Sequence, residues 1–299
     1  MNGAKLFVIL NFQPKVRITH NKLTFVFFVL FLSLFMQIRS QSVEMNSRTI
    51  LLGDDTVQLK IFKKQGKNMV FAHVHENETA ALEAGMEMLS KYGGKLVTLI
   101  HSYDGSKNRN VTFSIGNTTY QFDPNRIYST NSDILYKTIR VVKGSGKVDE
   151  NVIRSVKNLA DQIWLELKDY PFITAIHNNK NSPSGVKTSW LFWHRLEPES
   201  YSINSYIKSF DQSSESNRSC SDIYINPAIN NSEFFIATDK NDFRMLAEKR
   251  YNVVLQNADP IDDGSMSVYS QKKGIRYVNA EAKMGRVKEQ IQMLEVLLK

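Results

Sequence analysis

The chain of 299 residues has one cysteine, seven prolines and 14 glycines. A lone Cys220 cannot close an intrachain disulfide, so a metal held here would be bound by histidine and carboxylate. So little proline and glycine excludes collagen-like and low-complexity architectures. Long apolar runs are scarce: Leu23 to Met36 is about fourteen residues, short of the roughly twenty that span a bilayer core. Acidic residues are absent from residues 1–42, which carry Lys5, Lys15, Arg17, Lys22 and Arg39. Without that segment the balance is 33 basic to 30 acidic residues, a net charge of +3 in place of +8. So small a surplus makes no phosphate-neutralising face, and no basic run is interleaved with aromatics, which argues against nucleic acid as a partner. With 42% hydrophobic residues the chain can bury a sizeable core, which excludes disorder.

The apolar run follows a basic stretch and precedes Ser40-Gln41-Ser42, whose small residues at alternating positions suit signal peptidase. Residues 1–42 are therefore expected to be a signal peptide, or an uncleaved N-terminal membrane segment. Residues 43–299 are expected to be secreted or periplasmic, touching a membrane only through that segment.

Strands and helices alternate in the remainder. Strands are predicted at Asn68–His75, Lys95–Ile100, Phe172–His177, Thr188–Trp193, Glu233–Ala237, Asn252–Gln256 and Ile275–Asn279. Gly116-Asn117 marks a hairpin within Val111–Phe122. Helices are predicted at Thr79–Tyr92, stopped by Gly93-Gly94 and with Leu82, Met86 and Leu89 on one face, and at Asp149–Lys168, with Val152, Val156, Leu159 and Ile163 inward. Two more are predicted near Asn241–Arg250 and Gly285–Leu298. Ser202–Ser221 is Ser-rich and reads as a surface loop. This alternation predicts a single α/β domain around a mixed β-sheet flanked by helices.

Four short motifs carry chemistry. His75-Glu-Asn-Glu78 joins a strand to a helix and offers an imidazole nitrogen and a carboxylate oxygen one helical turn apart, a donor pair suited to zinc. His73-x-x-Glu76 is a competing frame. Ile173-Thr-Ala-Ile-His177 ends an apolar strand in a histidine, either a core residue or a third ligand. Asp123-Pro-Asn125-Arg126 offers a planar guanidinium suited to a carboxylate, or to bracing a loop. Tyr277-Val-Asn-Ala-Glu281 sets a carboxylate just past a strand, either at a site or as a helix N-terminal acid.

In this order the four motifs resemble the zinc carboxypeptidase family, including N-acyl amidohydrolases such as succinylglutamate desuccinylase and aspartoacylase. Members carry His-x-x-Glu, an Asn-Arg pair often within Asp-Leu-Asn-Arg, a distant histidine and a glutamate near the C-terminus. The resemblance covers roughly residues 68–290, with Pro124 where the family has Leu. It implies that His75, Glu78 and His177 hold one zinc ion and that Glu281 is the general base. It also implies that Asn125 and Arg126 clamp a substrate carboxylate. Arg109 is the candidate for polarising the scissile carbonyl, and Tyr269 for closing over the substrate, unless it is a packed strand aromatic. The implied activity is a metallocarboxypeptidase acting on peptides. Alternatives are an N-acyl or cell-wall amide hydrolase with the same centre, and an inactive binding protein on this fold.

Overall fold

Hydrophobic alternation and helical periodicity assemble into fourteen strands and seven helices in a computed structural model that describes residues 42–179, 187–190, 193–196, 201–213 and 218–298. Apart from Ser42, the expected export segment lies outside the described residues, and no described helix is long and apolar enough to cross a membrane. The chain begins with a hairpin, β1 (Glu44–Leu52) and β2 (Asp55–Lys64), followed by β3 (Val70–His73), α1 (Thr79–Tyr92) and β4 (Gly94–Ile100). A small antiparallel sheet follows, β5 (Val111–Ile115), β6 (Thr118–Phe122) and β7 (Ile139–Lys143), with α2 (Ser132–Thr138) before its last strand. Then come α3 (Glu150–Leu167), β8 (Ile173–Asn179) and a hairpin of β9 (Lys187–Trp190) and β10 (Trp193–Leu196). The remainder is α4 (Asn204–Gln212), β11 (Cys220–Tyr224), β12 (Phe234–Ala237), α5 (Lys240–Glu248), β13 (Val253–Gln256), α6 (Met266–Lys272), β14 (Tyr277–Lys283) and α7 (Val287–Val296).

The main sheet runs β1-β2-β4-β3-β8-β14-β12-β13-β11. Its centre, β4, β3, β8 and β14, is parallel, and outside it the pairings are antiparallel except for β12 with β13. The fold is thus α/β with a mixed sheet. On one face α3 packs Val152, Val156, Leu159 and Ile163 against strand residues such as Val70, Val97 and Ile173. Fully burying a side chain of this size contributes about 1.5–3 kcal/mol. Asp149 fixes where α3 starts, its carboxylate accepting from the backbone N–H groups of Asn151 and Val152. On the other face α1, α5 and α7 cover Phe71, Leu96, Ile176 and Phe235. The buried face of α1 is Ala81, Ala84, Met88 and Leu89, with Leu82 and Met86 only partly covered. These small residues let α1 sit close: a Cβ on Gly85 would come within 2.6 Å of side-chain carbons of Ile176 and Leu96.

Three elements differ from their sequence reading. Thr188–Trp193, read as one strand, falls on the two arms of the β9–β10 hairpin. The Ser-rich stretch after residue 202 contains α4, because Tyr206, Ile207 and Phe210 recur at helical spacing and pack on a third cluster around Phe234, Ile236 and Val254. The last strand extends through Glu281 to Lys283, so that acid lies within β14 rather than past it. The helix-cap alternative for Glu281 is thereby removed.

The strand order also fixes where a ligand can enter. From β3 the chain crosses through α1 to β4 on one side, while β8 lies on the other. The crevice at the carboxyl ends of β3 and β8 is therefore a topological switch point, the usual ligand position in open α/β sheets.

Candidate metal centre

His75 lies just beyond β3, Glu78 caps α1, and His177 lies in β8 across the switch point. All three are buried, and they are a His/Glu group able to hold a metal ion. His75 Nδ1 is 2.9 Å from Glu78 Oε1 and 3.0 Å from His177 Nδ1, and His177 Nδ1 is 2.9 Å from Glu78 Oε2. Ligands about 2.0–2.1 Å from a tetrahedral zinc ion would be roughly 3.3 Å apart, so these donors fit such a cation with a small expansion. Two facing imidazole nitrogens and a carboxylate, all buried, are a donor set that a divalent cation satisfies.

Neighbouring residues aim this set. A helix-capping side chain ordinarily accepts from its own first turn. Glu78 does not; Asn178 Oδ1 accepts from Ala81 N–H at 2.7 Å instead, leaving the Glu78 carboxylate turned towards the histidines. Asn178 is itself held by Gln290 of α7, whose amide also donates to the His177 carbonyl oxygen. Asp123 Oδ1 accepts from His75 Nε2 at 2.7 Å, which orients the ring with Nδ1 towards Glu78. A metal-binding imidazole typically has such a partner on its other nitrogen. Burial alone would lower the His75 pKa, but Glu78 and Asp123 outweigh it and raise it to about 9. Burial alone would raise the Glu78 pKa, but His75 and His177 hold it well below the usual carboxylate range.

The competing frame is committed elsewhere. His73 Nδ1 is 2.7 Å from Thr98 Oγ1 and its Nε2 is 3.0 Å from the Glu78 carbonyl oxygen. Burial lowers its pKa to about 4, so it is a neutral core residue. Glu76 accepts from the backbone N–H groups of His101 and Ser102.

A cavity of about 520 Å³ opens beside the triad, lined among others by Arg109, Asn125, Arg126, His177, Asn279 and Glu281. Glu281 pairs in register with His177 across β8 and β14, and is buried. Its Oε1 accepts from Asn279 Nδ2 at 3.0 Å, and burial raises its pKa above the ordinary value, with His177 acting in the opposite direction. Arg109 ion-pairs with Glu78 and approaches Asp123 at 3.6 Å. Arg126 ion-pairs with Asp263, from a loop that closes onto residues 126–128 through Tyr128 N–H and the Gly264 carbonyl. Gly264 has φ +75°, and a Cβ there would be 2.5 Å from the Arg126 carbonyl oxygen. Asn125 also faces the cavity, its Oδ1 without a hydrogen-bond partner among the described residues.

Tyr269 is placed differently. It lies on α6, its ring edge-on to Trp164 with centroids 4.8 Å apart, and is not among the residues lining this cavity. The tyrosines that line it are Tyr201, Tyr206 and Tyr277. Sequence reading gave no role to Asp123, Gln290 or Asp263. Asp123 was visible as the first residue of the Asp-Pro-Asn-Arg turn, whereas the other two have no local pattern that marks them. Comparison with known protein families and with curated proteins finds no match for this chain.

Proposed function

We propose that this chain is a zinc-dependent hydrolase of amide bonds, acting as a carboxypeptidase on peptides with a free terminal carboxylate. The observation that carries this reading is the convergence of His75 Nδ1, His177 Nδ1 and the Glu78 carboxylate beside a cavity that also contains Glu281. In this reading the three hold one zinc ion, and a bound zinc supplies a Lewis acid and favours deprotonation of water near neutral pH. Glu281 takes the proton of the attacking water and passes it to the leaving amine. Its Oε1 is occupied by Asn279, which leaves Oε2 for that proton. A pKa raised by burial brings the group nearer the working pH, where a general base is most effective. Arg109 supplies positive charge to the developing oxyanion once the carboxylate beside it is engaged by the cation. Arg126, with Asn125 beside it, orients the substrate carboxylate.

A second reading keeps the centre and changes the substrate. Arg126 is already neutralised by Asp263, which favours an N-acyl or cell-wall amide with no free carboxylate at that point. In both readings residues 1–42 export the hydrolase domain, residues 43–299, to the periplasm or the medium. The carboxypeptidase-like fold is part of the same proposal.

Elemental analysis of the purified chain, followed by product identification on carboxyl-free, C-terminally amidated and N-acylated peptides, tests this. One zinc per chain and cleavage restricted to free carboxylates are expected. Cleavage that ignores the carboxylate selects the second reading. Absence of zinc after reconstitution, with no cleavage, leaves a binding protein.

A further inference from the structure

Tyr277 and Asn279 share the face of β14 that bears Glu281, and both line the cavity. Asn279 is 4% exposed and Tyr277 is 0% exposed. Because Asn279 Nδ2 donates to the Glu281 carboxylate, which accepts only, the amide carbonyl must point the other way. Asn279 Oδ1 and the Tyr277 hydroxyl have no hydrogen-bond partner among the described residues. Ile236, paired with Asn279 across β12, and Gln256, at the end of β13, line the cavity too, as does Tyr206 of α4. Buried polar atoms without partners are costly, and the two side chains that carry them line a cavity that a ligand can fill.

We propose that this floor is a subsite for a substrate side chain ending in a neutral carboxamide, as in glutamine. Its N–H group donates to Asn279 Oδ1 and its carbonyl oxygen accepts from the Tyr277 O–H. An aliphatic side chain of the same length leaves both atoms unsatisfied. Among the described residues an ammonium group finds no free carboxylate in the lining, because Asp123 is engaged by His75 and Arg109, Asp263 is paired with Arg126 and Glu281 is the base. The inference takes from the hydrolase reading only which bond is cut; the occupant of the floor follows from the floor itself.

The test is equilibrium binding by calorimetry to the full chain in the presence of zinc, using both enantiomers of glutamine, methionine and lysine. One glutamine enantiomer is expected to bind at least about thirtyfold tighter than either competitor, since sites built around a polar group reject analogues lacking it. Asn279→Leu and Tyr277→Phe should each remove most of that preference at unchanged zinc stoichiometry. Methionine or lysine within threefold of glutamine overturns the proposal, as does a preference that survives both substitutions, or no binding of any of the three. Because the readout is binding, a chain that takes no zinc or cuts no amide still reports the preference. An active, zinc-replete chain without the preference overturns the subsite alone.

Discussion

Replacing Asp123 by alanine probes the metal centre one bond away from its donors. Asp123 Oδ1 accepts from His75 Nε2 at 2.7 Å and is itself fixed by Asn125 N–H at 2.8 Å. A hydrogen bond to a charged group contributes about 1.5–3 kcal/mol, and each 1.4 kcal/mol is about a factor of ten in binding. The expected loss of zinc affinity is therefore about 10–100-fold, the range typical when the partner of a ligating histidine is removed. The Asp123 side chain is 29% exposed, so water takes over part of the lost role and the lower half of that range is expected. Asp123→Asn keeps an acceptor and loses the charge, for a loss of roughly threefold to tenfold. Competition for zinc against a chromophoric chelator measures both, with circular dichroism to verify folding. An alanine variant within twofold of the parent would refute the claim that Asp123 orients a metal-binding ring.

Other substitutions separate the remaining roles. His75→Ala should abolish zinc binding and activity, whereas His73→Ala should lower stability and still bind one zinc per chain; the reverse pattern in metal analysis would mean that the wrong histidine has been assigned. Glu281→Gln should retain zinc and lose about 10²–10⁴-fold in turnover. The base works deprotonated and burial raises its pKa, so the wild-type kcat/KM should fall on acidification at a pH above the ordinary glutamate range; an acid limb at or below that range counts against Glu281. Glu166 accepts from Lys95 and Arg48, and although burial alone would raise its pKa, these cations lower it. Its contribution is complete above the ordinary glutamate value of about 4.3 and is lost as pH falls through the lower folded value. Glu166→Gln should thus cost about 1.5–3 kcal/mol at pH 7, with the gap in urea unfolding closing towards pH 2; a gap independent of pH would exclude this ionic origin.

Local signals were the legible ones. Gly116-Asn117 set the β5–β6 hairpin, Gly93-Gly94 ended α1, and the period of Val152, Val156, Leu159 and Ile163 defined α3 and its buried face. The three candidate donors were legible as residue types at strand ends, and the structure brings them together. What was not legible depends on distant partners. Glu78 faces the histidines because Asn178, 100 residues later, takes over its capping duty, and no spacing encodes that. Arg126 reads in sequence as either a carboxylate clamp or a loop brace, and only the turn at Gly264 delivers to it the Asp263 carboxylate that it braces. The α4 helix was hidden because serine and asparagine favour loops locally, while its apolar side gains from packing on β12.

The pairing of β3 with β8 has a mechanical consequence. These strands are in register only from Val70 opposite Ile173 to Ala72 opposite Ala175, yet β8 continues to Asn179. Beyond that short zipper the two halves of the sheet part, and His75 and Glu78 face His177 across the gap. A cation held from both banks would be a clasp on the open end of the seam, and emptying it would loosen the molecule along the line where its halves meet.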